Sequence, residues 1–333
     1  MSLPKRKIGA RIIIRLLGVV FVLSSAILVV FFRQYIYDQI IVWQFQPSAE
    51  VASLTSRINL SDNGKFVFFA SQPELNTSDE FNQACSRVEA TTSILGCYSG
   101  SRIYIYNVSD TKLDGIREVT AAHEMLHAVY QRMGDGEKTA VDVLLEAEYA
   151  KLSGNQLFSD LMDYYARAEP SERTNELHSV IGTVISNISP ELEAHYAKYF
   201  SSRQTVVNFY DKYNGVFQDL TDRAKVLVGQ LQVLSTSIPD ESTQYNADVL
   251  VLNADINTFN TRASNGDFDS NSQFYAERTI LIKRVNLLNQ TRATIDSDID
   301  NYNSLLDEYN SIASESKQLY NSMDSTLVTA PSV

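Results

Sequence analysis

The sequence predicts an α+β domain that follows one membrane-spanning helix and precedes a long helical hairpin. Three observations predict this arrangement. The stretch from Leu16 to Phe32 carries no charged residue and is long enough for a transmembrane helix. Two segments rich in β-branched and aromatic residues, 65–70 and 102–108, indicate strands set among helical segments. Between Val206 and Met323 apolar residues recur at helical spacing, interrupted by a single proline.

These patterns divide the 333 residues into six parts. In chain order we expect a basic tail at 1–15, a transmembrane helix at 16–33, a linker at 34–47, an α+β domain at 48–203, a helical coiled-coil domain at 204–325 and a frayed tail at 326–333. The spacing of apolar residues in 204–325 predicts either a long antiparallel hairpin or a three-helix coiled coil.

Charge is distributed unevenly along the chain. Six basic and no acidic residues occur through Arg33, which leaves 22 basic against 40 acidic residues in the remainder. The positive-inside rule therefore predicts a cytoplasmic N-terminus and an extracytoplasmic body. A body this acidic excludes most nucleic-acid-binding functions, because phosphate contacts need clustered Lys and Arg.

A cleaved signal peptide is the alternative to a membrane anchor at the N-terminus. The apolar stretch is longer than a usual signal-peptide core, and no small-residue cleavage site follows Phe32. An anchor that contacts the lipid bilayer is therefore favoured. Aromatic residues near its end are expected to lie at the outer interface, namely Phe31, Phe32, Tyr35, Tyr37 and Trp43.

Within the α+β domain, turn residues and apolar spacing predict the order of the elements. Gly96 and Gly100 are expected to bracket a turn before the strand at 102–108. Ser189 and Pro190 are expected to start a helix as its cap and first residue. The other predicted helices are a short one through Val51 to Leu60 and those near 78–90, 114–133, 137–152, 157–168 and 171–185.

The chain has two cysteines, Cys85 and Cys97. Outside the cytoplasm a disulfide between them is favoured over a metal-binding or catalytic role, because they lack the CxxC spacing. Loop entropy predicts a stabilisation of about 3 kcal/mol from such a bridge.

The segment His123-Glu124-Met125-Leu126-His127 carries the chemistry. Residues four apart share one face of an α-helix, so the imidazoles of His123 and His127 can bind one ion. Glu124 lies one position round the helix, close enough to take a proton from a metal-bound water. Neutral imidazoles suit Zn²⁺ and leave room for a third ligand and a water. The pattern predicts His123 and His127 as zinc ligands and Glu124 as a catalytic base.

This segment resembles the motif helix of the zincin superfamily of metallopeptidases. The resemblance extends over roughly 65–200 and includes the strand before the motif helix. It implies that an extended substrate pairs with the edge of the stretch from Arg102 to Val108. The metzincin branch is excluded, because Tyr130 and Met133 stand where that branch has Gly and His.

The gluzincin branch implies a third ligand that is a Glu on a later helix, often after an Asn. Asn175-Glu176 matches, 49 positions after His127. Gluzincins often place an Asp four residues after this Glu to orient the first His, but Val180 stands there. Other candidates for the third ligand remain, namely His178, Glu146 and Glu148.

The same resemblance implies a side chain that stabilises the oxyanion. His178, Arg173 and Tyr165 are candidates, and His178 is the preferred catalytic residue if Glu176 binds the metal. The fourth histidine, His195, is expected to have a surface or packing role rather than a metal role.

The sequence thus predicts a zinc-dependent endopeptidase that acts on peptide or protein substrates outside the cytoplasm. The helical region is expected to bind a protein partner or to self-associate. The alternative is an envelope scaffold protein that works through its coiled coil and carries a structural or vestigial metal site.

Overall fold

The computed structural model describes residues 8–85, 94–168 and 172–327. The chain is mostly helical, 79% by residue, and carries one small sheet. The strands are β1 Glu74–Asn76, β2 Gly96–Ser99 and β3 Arg102–Tyr106. The helices are α1 Ile8–Phe31, α2 Arg33–Gln44, α3 Ala49–Arg57, α4 Asp62–Ala70, α5 Ser78–Ala84, α6 Ile116–Arg132, α7 Asp135–Leu152, α8 Gln156–Ala168, α9 Arg173–Val184, α10 Pro190–Tyr196, α11 Gln204–Asn265 and α12 Asn271–Met323.

Helix α1 is long and apolar enough to cross a membrane. Its window Ile14–Phe31 has a mean hydropathy of 2.6, and the side chains described there are exposed. Within residues 8–85, 94–168 and 172–327 it is the one helix with these properties. A signal sequence passes the same test of length and composition.

The expected linker at 34–47 is largely helical. Helix α2 occupies most of it and buries the side chain of Asp38, which is 2% exposed. The partner of this carboxylate, Arg132, is 94 residues away in the sequence, so no local pattern predicts the contact.

The strand predicted at 65–70 is wrong, because this segment belongs to α4. The hydroxyl of Ser61 caps the helix by accepting a hydrogen bond from the Gly64 N–H at 3.0 Å. Gly64, Val67 and Phe68 are buried, which is the i, i+3, i+4 spacing of a helix face. A continuous apolar run satisfies this spacing and that of a buried strand equally well.

The sheet has the order β1-β3-β2, with β1 parallel and β2 antiparallel to β3. The strand predicted at 102–108 is confirmed as β3, but it is central and not an edge. The turn predicted between Gly96 and Gly100 is mostly strand β2, and the chain reverses at Gly100 and Ser101, which both have positive φ. The edge next to the motif helix is therefore β2.

The core of the domain lies around α6, which packs between the sheet and α9. Ile103 and Ile105 of β3 point into this core. Gly182 of α9 admits Leu126 of α6, because a Cβ atom at Gly182 would lie 2.4 Å from Cδ1 of Leu126. The predicted helices near 114–133, 137–152, 157–168 and 171–185 are confirmed as α6 to α9, and Ser189 caps α10 as expected.

The disulfide between Cys85 and Cys97 is present and confirms the predicted pairing, with 5.9 Å between the two Cα atoms. It joins the end of α5 to β2. The predicted helix at 78–90 forms through Ala84, and its part at 86–90 lies outside the described residues.

Two compact units divide the chain, one comprising Met1–Val216 with Tyr320–Val333 and the other Phe217–Leu319. The boundary expected at 203 is therefore too early, since Val206 and Val207 are fully buried in the first unit. After the second unit the chain rejoins the first, where Asn82 and Ser325 exchange two hydrogen bonds of 2.7 and 2.8 Å.

The second unit, Phe217–Leu319, consists of the remainder of α11 and α12, two helices rather than three. Ion pairs join them along their length: Arg262 with Glu277, Arg284 with Asp255, and Arg223 with Glu308. This pairing of distant positions is that of an antiparallel hairpin.

Candidate metal centre

The face of helix α6 opposite the motif packs in the core, and this packing determines where His123, Glu124 and His127 point. Gly115 caps its start with a φ of 107°, and a Cβ atom there would lie 2.7 Å from Phe209. Glu118 in the first turn is buried and pairs with Arg57 at 2.6 Å. These contacts fix the rotation of α6, so His123 and His127 point towards α9.

Helix α9 supplies the third group. The side chain of Glu176 is buried, with 3% exposure, and its two oxygens face the two imidazoles. Oε2 lies 3.4 Å from Nε2 of His123, and Oε1 lies 3.4 Å from Nε2 of His127. One ligand atom from each residue lies within 4.8 Å of the other two. The structure thus brings together the three residues predicted as ligands.

The hydrogen bonds around His127 determine which of its nitrogens faces the site. Nδ1 of His127 lies 3.0 Å from the side-chain oxygen Oδ1 of Asn175 and 3.3 Å from the Ser179 hydroxyl. The amide of Asn175 also donates to Glu172 at 3.2 Å, which orients its oxygen towards His127. Nδ1–H therefore donates to Asn175, and Nε2 presents a lone pair to the site.

The protonation states suit a metal ligand set. Burial lowers the pKa of His123 to about 4. Burial also lowers the pKa of His127, although the Glu176 carboxylate opposes this shift. Both imidazoles are consequently neutral at pH 7, the form that binds a metal ion. Burial raises the pKa of Glu176, and the nearby His127 opposes that shift.

His123, His127 and Glu176 form a group that could hold a cation. Oε2 of Glu176 is buried and receives no hydrogen bond from the described residues. The lone pair of His127 Nε2 points at the other carboxylate oxygen of Glu176, Oε1, so two hydrogen-bond acceptors face each other. Such a buried, unsatisfied carboxylate is costly unless a positive charge compensates it. Two imidazole nitrogens and a carboxylate oxygen form a donor set typical of zinc sites that keep an open position.

The other candidates for the third ligand lie elsewhere. Glu146 is exposed and pairs with Arg173. Glu148 is buried but accepts hydrogen bonds from the Ser189 N–H and from Lys151. Neither carboxylate belongs to the group formed by Glu176 and the two motif histidines.

The structure contradicts the prediction of His178 as a catalytic residue. Its ring is fully buried, and Nε2 lies 2.9 Å from Nε2 of His195. It packs between Tyr130 and Tyr196 and does not line the cleft that contains the motif. Residues two apart on a helix point about 200° apart, so His178 faces away from Glu176. The packing role expected for His195 is consistent with this buried pair.

Tyr165 is the oxyanion candidate that the structure places beside the site. Its ring stacks on His123 with centroids 6.0 Å apart. Its pKa is raised well above the usual value by burial and then by the charges of Glu176 and Glu124, so the phenol keeps its proton. The third candidate, Arg173, is engaged by Glu146 and does not line the cleft.

Glu124 is held against the edge strand β2. A Cβ atom at Gly96 would lie 2.6 Å from Oε1 of Glu124 and 2.6 Å from Cγ2 of Thr120. Only glycine therefore permits this approach of strand and carboxylate. The contact of Gly96 with Glu124 and the hydrogen bond of Asn175 with His127 are not predicted from the sequence. The Asn175-Glu176 pair is the one sequence signal that points to Asn175.

A cleft of about 690 Å³ contains the motif and is bordered by β2 on one side. Apolar side chains in its lining include Val119, Leu161, Val180 and Val184. Polar side chains include Tyr98, Gln131, Lys138 and Glu172. Tyr210 and Tyr213, both on α11, also line it.

The backbone of β2 has hydrogen-bonding groups on its outer side. The Tyr106 N–H donates to the Leu95 carbonyl at 2.8 Å, which makes these residues a bonded pair. In an antiparallel ladder the bonded residues alternate, so the N–H and C=O groups of Gly96 and Tyr98 point away from β3.

Comparisons of the chain with protein-family models, curated proteins and solved structures gave no match. Functional interpretation therefore depends on the geometry of the chain's own residues.

Proposed function

We propose that the chain is a zinc-dependent endopeptidase of the gluzincin type, with a zincin-like catalytic domain. The observation that carries this proposal is the convergence of His123, His127 and the unsatisfied Glu176 carboxylate next to Glu124. Such a group suits hydrolysis of an extended polypeptide, because it lies in a cleft beside the edge of β2, which pairs with no other strand in residues 8–85, 94–168 and 172–327.

Each residue has a distinct role in the proposed reaction. His123, His127 and Glu176 would hold zinc, which supplies Lewis acidity and a bound water of pKa about 7. Glu124 accepts the proton of the attacking water and returns it to the leaving amine. Tyr165 donates its hydroxyl proton as a hydrogen bond to the oxygen that becomes negative in the transition state.

The substrate pairs with the outer edge of β2 rather than with the stretch predicted from the sequence. The outward groups at Gly96 and Tyr98 would bind the substrate backbone as a further antiparallel strand. Gly96 lies beside Thr120 and Glu124, and Tyr98 bonds to Gln131, so β2 runs in the same direction as α6. An antiparallel substrate would run in the opposite direction, and the part after the cleaved bond would lie towards the N-terminal end of α6.

We further propose that α1 anchors the enzyme as a single membrane-spanning helix. The basic residues before the apolar stretch favour a cytoplasmic N-terminus and an extracytoplasmic cleft. The hairpin of Phe217–Leu319 would form a coiled coil that binds a protein partner or a second copy of the chain.

Two substitutions test the catalytic proposal together. Glu124→Gln removes the base but no metal ligand, so hydrolysis of an unfolded peptide should fall by about 10²- to 10⁴-fold with zinc retained. Glu176→Gln should lose zinc as well as activity, because it removes a charged ligand. Glu146, which was a candidate for the third ligand, provides a matched control. Glu146→Gln should keep both bound zinc and hydrolytic activity.

The scaffold alternative gives a different result in the same measurements. A protein that binds zinc without cleaving any unfolded peptide would be a metal-binding scaffold. Wild-type hydrolysis by Glu124→Gln would contradict the proposed mechanism directly.

A further inference from the structure

Helix α2 contacts the α+β domain near its start, at its middle and at its end. Near its start, the ring of Tyr35 lies 5.6 Å from that of Phe66. At its end, the ring of Phe45 lies 6.0 Å from that of Phe69. Both partners are on α4, which itself packs on α6. The segment after the apolar helix is thus a docked element and not a flexible tether.

A buried ion pair fixes the middle of α2 to the end of the motif helix. The carboxylate of Asp38 accepts two hydrogen bonds from the guanidinium of Arg132, at 2.9 and 3.1 Å, and a third from Gln34 at 3.0 Å. Both charged side chains are almost fully buried. Arg132 also donates to the hydroxyl of Tyr98, which lines the cleft, at 3.0 Å. Helix α2, the motif helix and the edge strand therefore share one network.

The joint between the apolar helix α1 and α2 is a single residue, Phe32, whose backbone leaves the helical conformation with φ −101° and ψ 13°. The Phe32 N–H donates to the Leu28 carbonyl, and the Ile36 N–H donates to the Phe32 carbonyl, both at 2.9 Å. Because this joint is one residue long and α2 is docked, the end of α1 stays close to the cleft.

The length of this connection limits how far the metal centre can lie from the apolar helix. From Phe31 to Asp38 the helix rises about 10 Å, and from Arg132 back to His127 it rises about 8 Å. With the two paired side chains between them, the path is at most roughly 30 Å. An extended polypeptide covers that distance with about ten residues.

We propose that α2 holds the cleft close to the membrane, at most roughly 30 Å above it, so that the substrates are extended segments of membrane-attached polypeptides within about ten residues of the bilayer. This inference rests on the proposed peptidase function and on α1 as an anchor. It specifies where in a target the enzyme cuts, which the metal centre alone does not.

Full-length enzyme in liposomes tests the proposal with one target sequence in four settings. The sequence is placed about 3, 10 or 40 residues from a transmembrane anchor in the same bilayer, or supplied as a free peptide. The substrate at about 10 residues should be cut faster than the one at about 40 residues. The difference should be roughly eight-fold, because effective concentration falls as the −3/2 power of tether length. The substrate at about 3 residues extends only about 10 Å, so its cleavage would show that the cleft lies within that distance of the bilayer.

An insertion tests the connection itself without touching the site. A flexible segment of about 40 Gly and Ser residues after Phe32 leaves the Asp38–Arg132 pair in place but separates α2 from α1. Hydrolysis of the free peptide should be unchanged, and the three anchored substrates should be cut at rates within about three-fold of one another. The matched control is the same insertion at Gly266, in the turn between α11 and α12, which should keep the distance preference.

The outcomes separate this inference from the function on which it rests. If the intact enzyme cuts all anchored substrates equally and also cuts the free peptide, the cleft is not held close to the membrane. The proposed peptidase function is unaffected by that result. A distance preference that survives the insertion after Phe32 overturns the role of α2. Absence of cleavage in all four settings overturns the peptidase function, and the inference with it.

Discussion

Replacing Gly96 by alanine is expected to impair catalysis without removing the metal. Gly96 contacts Glu124, which is not a ligand, and the ligand set of His123, His127 and Glu176 lies on α6 and α9. The substitution thus perturbs the position of the general base and leaves the metal ligands in place.

The size of the effect follows from the contact distances. The new Cβ atom would lie 2.6 Å from Oε1 and 2.8 Å from Cγ of Glu124, whereas ordinary contacts are 3.4–4 Å. Either the carboxylate or the edge strand must therefore move by roughly 1 Å, and a displacement of this size can cost about 100-fold in rate. We expect kcat/KM to fall by about that factor.

The assay compares peptide hydrolysis with bound zinc in the same preparations. Gly134→Ala is the matched control, because a Cβ atom at Gly134 meets nothing within 4 Å and its backbone is extended. It should keep full activity. Gly96→Ala with wild-type kcat/KM would show that β2 does not position Glu124, and loss of zinc in parallel with activity would show that the effect is not confined to the base.

Further predictions concern the ligand orientation, the buried histidines, the disulfide and the hairpin. Asn175→Ala should weaken zinc affinity by about 10- to 100-fold in a chelator competition, because Nδ1–H of the ligand imidazole loses its acceptor; unchanged affinity would contradict this role. Burial lowers the pKa of His195 to about 4, so between pH 6.5 and 4 the unfolded chain binds a proton that the folded chain does not. His195 should thus contribute a decrease in unfolding free energy in that range as pH falls, of at most about 1.4 kcal/mol per pH unit, and His195→Phe should reduce the slope by up to that amount in denaturant titrations. Reduction of the Cys85–Cys97 disulfide should lower unfolding free energy by about 3 kcal/mol, and an unchanged denaturation midpoint would contradict this. Replacing 217–319 by a short linker should preserve hydrolysis of a free peptide, whereas truncation from 206 onward should prevent folding because it removes buried Val206 and Val207.

The parts of the fold that the sequence predicted correctly are those in which local signals agree. Helix α6 has a glycine before its start, an acidic residue in its first turn and an apolar face at 3.6-residue spacing. The motif spacing on that helix then determines that His123 and His127 point the same way. The same consistency holds for α10, which starts with a Ser cap followed by Pro190.

The errors arose where the deciding contact is distant in sequence. Helix α4 depends on Gly64 packing against the carbonyl of Tyr199, and α2 depends on Asp38 meeting Arg132. Neither partner can be identified from local pattern. The sheet order is also non-local, since the pairing of β1 with β3 makes a predicted edge strand central.

Helical geometry alone argues against His178 as a catalytic residue beside Glu176. Residues two apart on a helix point about 200° apart, and His178 is two residues after Glu176. Asn175 was visible as the neighbour of Glu176, but its hydrogen bond to His127 depends on the packing of α9 on α6.

The proposed general base Glu124 shares α6 with two of the proposed metal ligands, but it contacts β2, which none of the ligands belongs to, so base and ligands can be perturbed separately. Packing of α6 on α9 places the three ligands, and Asn175 orients one of them. Strand β2 touches Glu124 at Gly96 and meets the Asp38–Arg132 network at Tyr98. Strand β2 would thus contact the substrate backbone and the proton acceptor Glu124, and it would be linked through Tyr98 to helix α2. A change in the docking of α2 should therefore alter turnover and substrate choice before it alters metal affinity, because β2 contributes no ligand to the metal.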